Sequence, residues 1–600
     1  MRLMRLLASL ALTTSTAGCS LQLSGEIDEV RNQCVTDGDC PGGACASDGS
    51  ESFCVATKAD LANLFFEFHL PNDAPVGPGL RGVQRASALG VNLQGTDEGG
   101  FLRTVQLALP LPIEVGATLS IAPLPAECGT LEASGTVPAS IELHPVGQPL
   151  GVSLAPYVAG HDPEFGGPRL TVSPGRYDIV LEPEVTSLKG CSLPRVLLRD
   201  QLIESYTELH FSRGEPSVLR GHLDVPHALG CDTDALACWR VELLENQRGR
   251  SIGSATTFAA EGAEGTETFE VRFWPGGKDA GTPVDPVLVV HPPQSLRQLG
   301  MPDLFWKLGA IDPDGDLDVS LELAPLVAGT QRFIPLEASV RGVDGEPVAA
   351  NVLLVGRQLL GGKFGDNALF QAAVATDEGG NFAVNILPGK YDLVAIPGGE
   401  SDHAVTIETW TFADTDLGKG RTFEVKPVSR LNGSVTTPRG DAASNVLALV
   451  SPAATQDVSL LEALFSPGQA SLLAALPRIA ANPTDGGGRF DLPLDPGLVD
   501  LFVKPAASSN LPWLVRPSIS VSASQPQPVD LGDLQFSEPV VLLGRFASED
   551  GSAIPGVTLR AWLGAVDEGG EARPRAIGLG EVTSDASGHY RLLLPSSASQ

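Results

Sequence analysis

One turn-and-strand pattern returns about every hundred residues along this 600-residue chain, and it decides what the chain can fold into. The clearest copy runs from Thr376 to Pro397 as TDEGGNFAVNILPGKYDLVAIP. Asp377 and Gly379-Gly380 supply a turn, because glycine tolerates positive φ. Phe382, Val384 and Ile386 then alternate with polar or small residues, which gives one apolar strand face. Pro388-Gly389 makes a second tight turn, and Tyr391, Leu393 and Ala395 line the next strand. The design returns 108 residues later at Asp485, with Phe490, Leu492 and Leu494, then Pro496-Gly497 and Val499, Leu501 and Val503. It begins again at Asp585, with Gly588, Tyr590, Leu592 and Leu594. An earlier copy shows at Pro174-Gly175, followed by Tyr177, Ile179 and Leu181, and Pro275-Gly276 marks the place of a degenerate one. A period of about 100 residues suits one β-sandwich per repeat.

Each repeat also opens in a common way. Leu336 to Val355 reads LEASVRGVDGEPVAANVLLV, and Val540 to Trp562 reads VVLLGRFASEDGSAIPGVTLRAW. Both are a strand, an acidic glycine turn, a proline and a second alternating strand. With the T-D-x-x-G-x-F and P-G-x-Y-x-L segments, this resembles the carboxypeptidase regulatory-like domain. That resemblance implies a transthyretin-like sandwich of seven or eight strands, a fold marker that carries no catalytic residues. It is closest over 333–425, extends over 427–535, covers part of 538–600 and fades before 330. The fold class expected is all-β: tandem Ig-like, transthyretin-like β-sandwich modules behind a small disulfide-rich N-terminal segment. The expected units are 58–215 (module 1), 216–330 (module 2, degenerate), 333–425 (module 3), 427–535 (module 4) and 538–600 (module 5, partial). Module 5 ends after Leu594-Pro595 with no Gly-x-Tyr strand, which leaves a sheet edge unpaired. Modules laid end to end reach on the order of 150–200 Å, with ~10-residue strands.

Residues 1–18 place the chain outside the cytoplasm. Arg2 and Arg5 precede an apolar run from Leu6 to Leu12, and Thr16-Ala17-Gly18-Cys19 follows. This resembles a bacterial lipoprotein signal peptide, which implies cleavage before Cys19 and a lipid on that cysteine. The apolar run is too short for the ~20 residues of a membrane span. Ser20 follows the cysteine, and in related lipoproteins a serine there goes with sorting to the outer membrane. The chain has nine cysteines. Removing Cys19 leaves an even number in an oxidising compartment, where disulfides are the default. Cys34, Cys40, Cys45 and Cys54 crowd into the tether 19–57, whose few apolar residues cannot build a core, so covalent links must hold it. Four cysteines allow three pairings, and spacing does not choose among them. Zinc is the rival, but no Cys-x-x-Cys pair or neighbouring histidine supports it. Cys231 and Cys238 are placed to close a small loop, and Cys128 and Cys191 remain to join each other.

The net charge of −32 argues against nucleic acid, since phosphate binding needs clustered Lys and Arg. Asp312, Asp314, Asp316 and Asp318 alternate around Gly315, a pattern that can wrap one calcium ion through carboxylate oxygens; an ion-free acidic turn is the rival. Residues 457–480 hold leucines at helical spacing on either side of Pro467-Gly468, which predicts a helical insert in module 4. Enzyme motifs are nearly missing. Gly249-Arg250-Ser251-Ile252-Gly253 matches G-x-S-x-G, but a nucleophile elbow needs a strand before and a helix after, and the flanks read as a hairpin tip. The histidines form no H-E-x-x-H. These features lead to the expectation of an exported, lipid-anchored, non-catalytic scaffold of the cell envelope, facing the periplasm or the cell surface. Its partners would be the membrane and an envelope protein or glycan, with no cofactor required. Two other readings stand beside it. One is carbohydrate or peptide binding, with Trp274, Trp306, Trp410, Trp513 and Trp562 as stacking candidates. The other is an envelope hydrolase with its catalytic unit in 60–330.

Overall fold

The computed structural model describes residues 32–597, apart from 75–78, 106–110, 123–135, 147–153, 185–192, 214–215, 225–237, 246–250, 257, 260–265, 275–285, 299–300, 302, 309–320, 324–333, 360–367, 399–400, 414–419, 454–477, 523–527, 549–550 and 565–575. The regular structure of the described chain is nearly all strand, with Gln294–Gln298 as a short α-helix and a few 3-10 turns. Its tandem sandwiches repeat one seven-stranded plan. Numbering the strands by position within a module, one sheet has the order 4-1-7 and the other 3-2-5-6. Strands 1 and 7 run parallel and the remaining neighbours antiparallel.

Module 3 shows the plan in full: Ile334–Gly342, Ala350–Leu359, Ala368–Ala375, Asn381–Ile386, Gly389–Pro397, Thr406–Phe412 and Arg421–Val425. Module 4 repeats it from Ser429–Thr436 to Val529–Gln535. Module 2 runs from Ser217–Asp224 to Leu321–Leu323, and module 1 from Ile113–Ile121 to Thr207–Arg213. The turn before strand 4 is built alike in modules 3, 4 and 5. The side-chain oxygen of Asp377, Asp485 or Asp585 accepts the backbone N–H four residues on, at 2.8, 2.8 and 2.9 Å. Gly380 follows at φ 72°, and a Cβ there would meet Val340 O at 2.6 Å, so only glycine fits. Between strands 4 and 5, the Tyr177 and Tyr391 hydroxyls donate to carbonyls four residues upstream, Ser173 at 2.5 Å and Leu387 at 2.7 Å.

The last module departs from the sequence expectation. Its strands 1 to 4 are Val540–Arg545, Thr558–Leu563, Ile577–Thr583 and His589–Leu594. Strands 5, 6 and 7 come from the other end of the chain, as Leu64–His69, Arg81–Arg85 and Leu102–Thr104. Module 1 therefore does not span 58–215, and module 5 does not end on an open edge. The physical reason lies in the alternation of Leu64, Phe66 and Phe68. These three need a partner face, and the four C-terminal strands present Leu542, Leu559, Ala561, Leu592 and Leu594 to them.

Early and late strands of the described chain thus share one module, and the modules close a circuit instead of an open row. Arg81 of the shared module donates to Pro156 O of module 1, and its own carbonyl accepts from Tyr157 at 2.7 Å. Trp274 of module 2 packs on the core of module 1. Leu304 pairs with Ala368, which fuses sheets of modules 2 and 3 into eight strands. Arg478 and Asp495 tie module 4 to module 3. Val515, Phe502 and Trp513 of module 4 pack on the shared module. An end-to-end rod is inconsistent with this circuit.

Candidate functional site

The shared module is where the chain ends meet, and the cysteine-rich segment sits on it. Leu64–His69 runs antiparallel to Thr558–Leu563, and Leu102–Thr104 runs parallel to Val541–Leu543. Tyr590 of strand 4 donates to Val105 O at 3.1 Å, so one hydroxyl bridges the two ends. Asp60 N donates to Ser596 O at 2.9 Å and holds the C-terminal tail. On the outer face of this seam the buried Glu67 accepts from Trp562 Nε1 at 2.6 Å, and His69 and Arg560 lie against it. Burial pushes the Glu67 carboxyl up. The bonds and charges of His69, Arg560 and Trp562 outweigh burial and hold it below the usual carboxylate range.

Cys34–Cys45 and Cys40–Cys54 are disulfides, one of the three pairings open to the sequence. Cys34, Cys40 and Cys54 lie within metal-binding reach of one another, but their sulfurs are used in these bonds. The hairpin Gly43–Ser47 and Ser52–Ala56 lays Ala44, Phe53 and Val55 on Val541, Leu543 and Leu593 of the C-terminal end and on Leu102 of the N-terminal end. Arg591 anchors it through Asp48 Oδ2 at 3.1 Å and Glu51 Oε1 at 2.5 Å. Asn32 donates to Glu538 Oε2 at 3.0 Å and, through its backbone, to Ser509 O of module 4 at 2.7 Å. Arg439 of module 4 donates to Gln33 O and Asp39 O. The segment expected to be a tether is a knot pinned over the seam. Glu538 is 5% exposed, and its Oε1 has no hydrogen-bond partner; burial, outweighing the bond from Asn32, pushes its carboxyl up.

A second polar cluster lies between modules 1 and 2. Glu142, His144, Arg195, Glu242 and Ser251 line a cavity of about 320 Å³. His291 stands behind Glu242, its Nε2 3.3 Å from Glu242 and its Nδ1 3.1 Å from Asp303. Burial pulls the imidazole pKa down, and the two carboxylates outweigh burial and raise it. Ser251, the central serine of G-x-S-x-G, hydrogen-bonds Glu242. It opens the strand Ser251–Thr256, which pairs with Arg240–Glu245. Both imidazole nitrogens are engaged by carboxylates, so neither is directed at the Ser251 hydroxyl to take its proton, and a strand replaces the helix an elbow requires. An open groove of about 800 Å³ crosses the 4-1-7 sheet of module 4, lined by Asn432, Ser434, Arg489, Asp491, Asp530 and Asp533.

Several expected sites lie outside the described residues: Cys19, Cys128, Cys191, Cys231, and Asp312, Asp314, Asp316 and Asp318. The predicted insert 457–480 lies outside them too, except for 478–480. Cys238 is disulfide-bonded. Of the tryptophans, Trp410 is core, Trp274 packs on module 1, Trp562 is held by Glu67 and Trp513 lies under Lys504 Nζ at 4.0 Å. The side chain of Trp306 is not among those described. The seam was missed in the sequence, although a signal was present. TDEGGF at 96–101 repeats the opening of TDEGGNF at 376–382, close behind the alternating Leu64-Phe65-Phe66-Glu67-Phe68.

No family model matches the chain, and no curated protein matches it. Among solved structures it is similar to a streptococcal ancillary pilin, at 11% identity and TM-score 0.22, over 54% of this chain and 99% of that one. GBS52, the minor pilin of Streptococcus agalactiae, matches at 14% identity and TM-score 0.21, over 34% of this chain and 96% of that one. BcpA, the major pilin subunit of Bacillus cereus, matches at 11% identity and TM-score 0.13, over 52% and 99%. Likeness at these scores carries no argument about what this chain does.

Proposed function

We propose that this chain is an exported, non-catalytic scaffold of the cell envelope, anchored by a lipid on Cys19 to the outer membrane. The observation that carries the reading is the closure of the repeated sandwiches through one shared module under a disulfide knot. Such a body gains its stability from β pairing and covalent staples, and the knot's disulfides suit an oxidising compartment. The polar clusters at its seam and beside the module 1–2 contact are self-paired: Glu67 with Trp562 and Arg560, and His291 with Glu242 and Asp303. The anchor is tested by mass spectrometry of the mature N-terminus. A diacylglycerol-bearing Cys19 is the expected result, and a free or uncleaved N-terminus removes the anchor. Surface proteolysis of intact cells then reports which membrane face is used.

The acidic loop with Asp312, Asp314, Asp316 and Asp318 is proposed to bind calcium. Isothermal titration of the full chain is expected to give heat at millimolar calcium that is lost when Asp314 and Asp316 become Asn; no heat ends the idea. The carbohydrate-binding reading is favoured by the module 4 groove, whose Asn, Asp and Arg side chains suit sugar hydroxyls. A glycan array with the wild type and an Asp491→Ala variant separates it from the scaffold reading.

A further inference from the structure

Among the described residues the seam is made of non-covalent contacts, because both described disulfides of the knot lie inside 32–57. The head, residues 32–105, makes most of its described contacts away from its sequence neighbour. It pairs with Thr558–Leu563 and Val541–Leu543, packs its knot on Leu543 and Leu593, and reaches module 4 through Asn32 and Arg439. Its described hydrogen bonds to module 1 gather at one residue, Arg81, which meets Pro156, Tyr157 and Ser173. The four C-terminal strands meanwhile lack strands 5 to 7 without a head, and so leave Leu559, Ala561, Leu592 and Leu594 uncovered.

We infer that the head of one copy can complete the last module of a second copy, so that this chain assembles head to tail. Donor and acceptor are different surfaces, so the contact is heterologous and propagates as open chains or larger rings. Added strands give affinity through backbone bonds, and the knot adds an apolar face and the Arg591 ion pairs. Closure within one chain competes, with an effective concentration on the order of millimolar. Monomers therefore dominate in dilute solution, and exchange grows when many chains fold close together.

The test uses two full-length variants. One carries Phe66→Asp with Phe68→Asp and has a defective head. The other carries Leu559→Asp with Ala561→Asp and has a defective acceptor. Neither can close alone, yet the intact head of the second fits the intact acceptor of the first. Native mass spectrometry is expected to show each variant as a monomer and the mixture as a one-to-one dimer. A second measurement does not depend on those variants folding. Wild-type chains with light and heavy isotopes are refolded together from about 1 µM to about 100 µM, and mixed-label dimers and longer species are expected to rise with concentration. Monomers alone at every wild-type concentration would overturn the inference, whatever the variants do.

Discussion

Glu538 shows how one side chain records the cost of docking the knot. Its Oε2 accepts from Asn32, while its Oε1 is buried with no partner. An ionised carboxylate in that place is poorly solvated, so its folded pKa stands above the ordinary value of 4.5. The raised value means that protonation favours the fold. This site's contribution is greatest below the ordinary pKa and is lost as pH rises through the folded one. Glu538→Gln keeps an acceptor for Asn32 and removes the charge. It is expected to stabilise the protein by about 1 kcal/mol at pH 7, with the gain shrinking towards pH 4. Urea unfolding of both proteins across that range checks it, and a less stable variant at pH 7 would refute it. Nothing in the sequence around Glu538 announces this burial. The four cysteines of 19–57 are plain in the sequence, but the partners of the knot lie hundreds of residues away at Ser509, Glu538 and Arg591.

At the scale of elements, the connection between strands 4 and 5 does two different jobs in one fold. In modules 1 and 3 it seats a tyrosine hydroxyl on the carbonyl four residues back. In module 4, Asp495 takes that place and turns the connection into a joint. Asp495 accepts from Arg478 at 2.7 and 2.8 Å and from Val405 N of module 3 at 2.9 Å. Arg478 also donates to Pro397, Gly398 and His403 of module 3. Removing a buried ionic partner from such a network costs about 3 kcal/mol. Asp495→Ala is therefore expected to lower stability by about that much and to let modules 3 and 4 unfold in separate steps. Calorimetry showing one unchanged transition would count against the joint. In the last module strands 4 and 5 have no direct connection, since His589–Leu594 and Leu64–His69 come from opposite parts of the sequence. That explains what could be read in advance and what could not. The strands with Phe382 and Phe490 were legible because turn and alternation lie within a few residues of each other. The seam was not, because Leu64–His69 has no Pro-Gly turn before it, and the local signal at 96–101 does not say which distant strands complete the sheet. Tyr590→Phe tests the seam directly. Losing its bond to Val105 O is expected to cost about 1 kcal/mol and to raise amide exchange in both 64–69 and 589–594.

For the whole molecule, the seam imposes an order on folding. Leu64, Phe66 and Phe68 are made early, yet their partners Leu559 and Ala561 are made more than four hundred residues later. At 5–20 residues per second the head waits roughly 25–100 s with an uncovered apolar strand. A pairing so distant in sequence also carries a large loop-closure cost, which slows folding more than it lowers stability. Relocating the break isolates that effect. Asp60 and Ser597 lie side by side as a bridge pair, so a short linker can join Ser597 to Lys58, with new ends opened between modules 4 and 5. The permutant makes all seven strands of the shared module consecutive, as they are in module 3. Compared with a linear chain of residues 58–597, which also lacks the knot, it keeps the same described strand pairs and changes the chain connectivity, and with it the sequence separation of the paired strands. It is expected to refold about tenfold faster or more while its equilibrium stability stays within about 1 kcal/mol. Refolding followed by tryptophan fluorescence measures the first, and urea titration the second. Equal refolding rates would mean that joining the chain ends is not the slow step, and that the head finds its place as readily as any neighbouring strand.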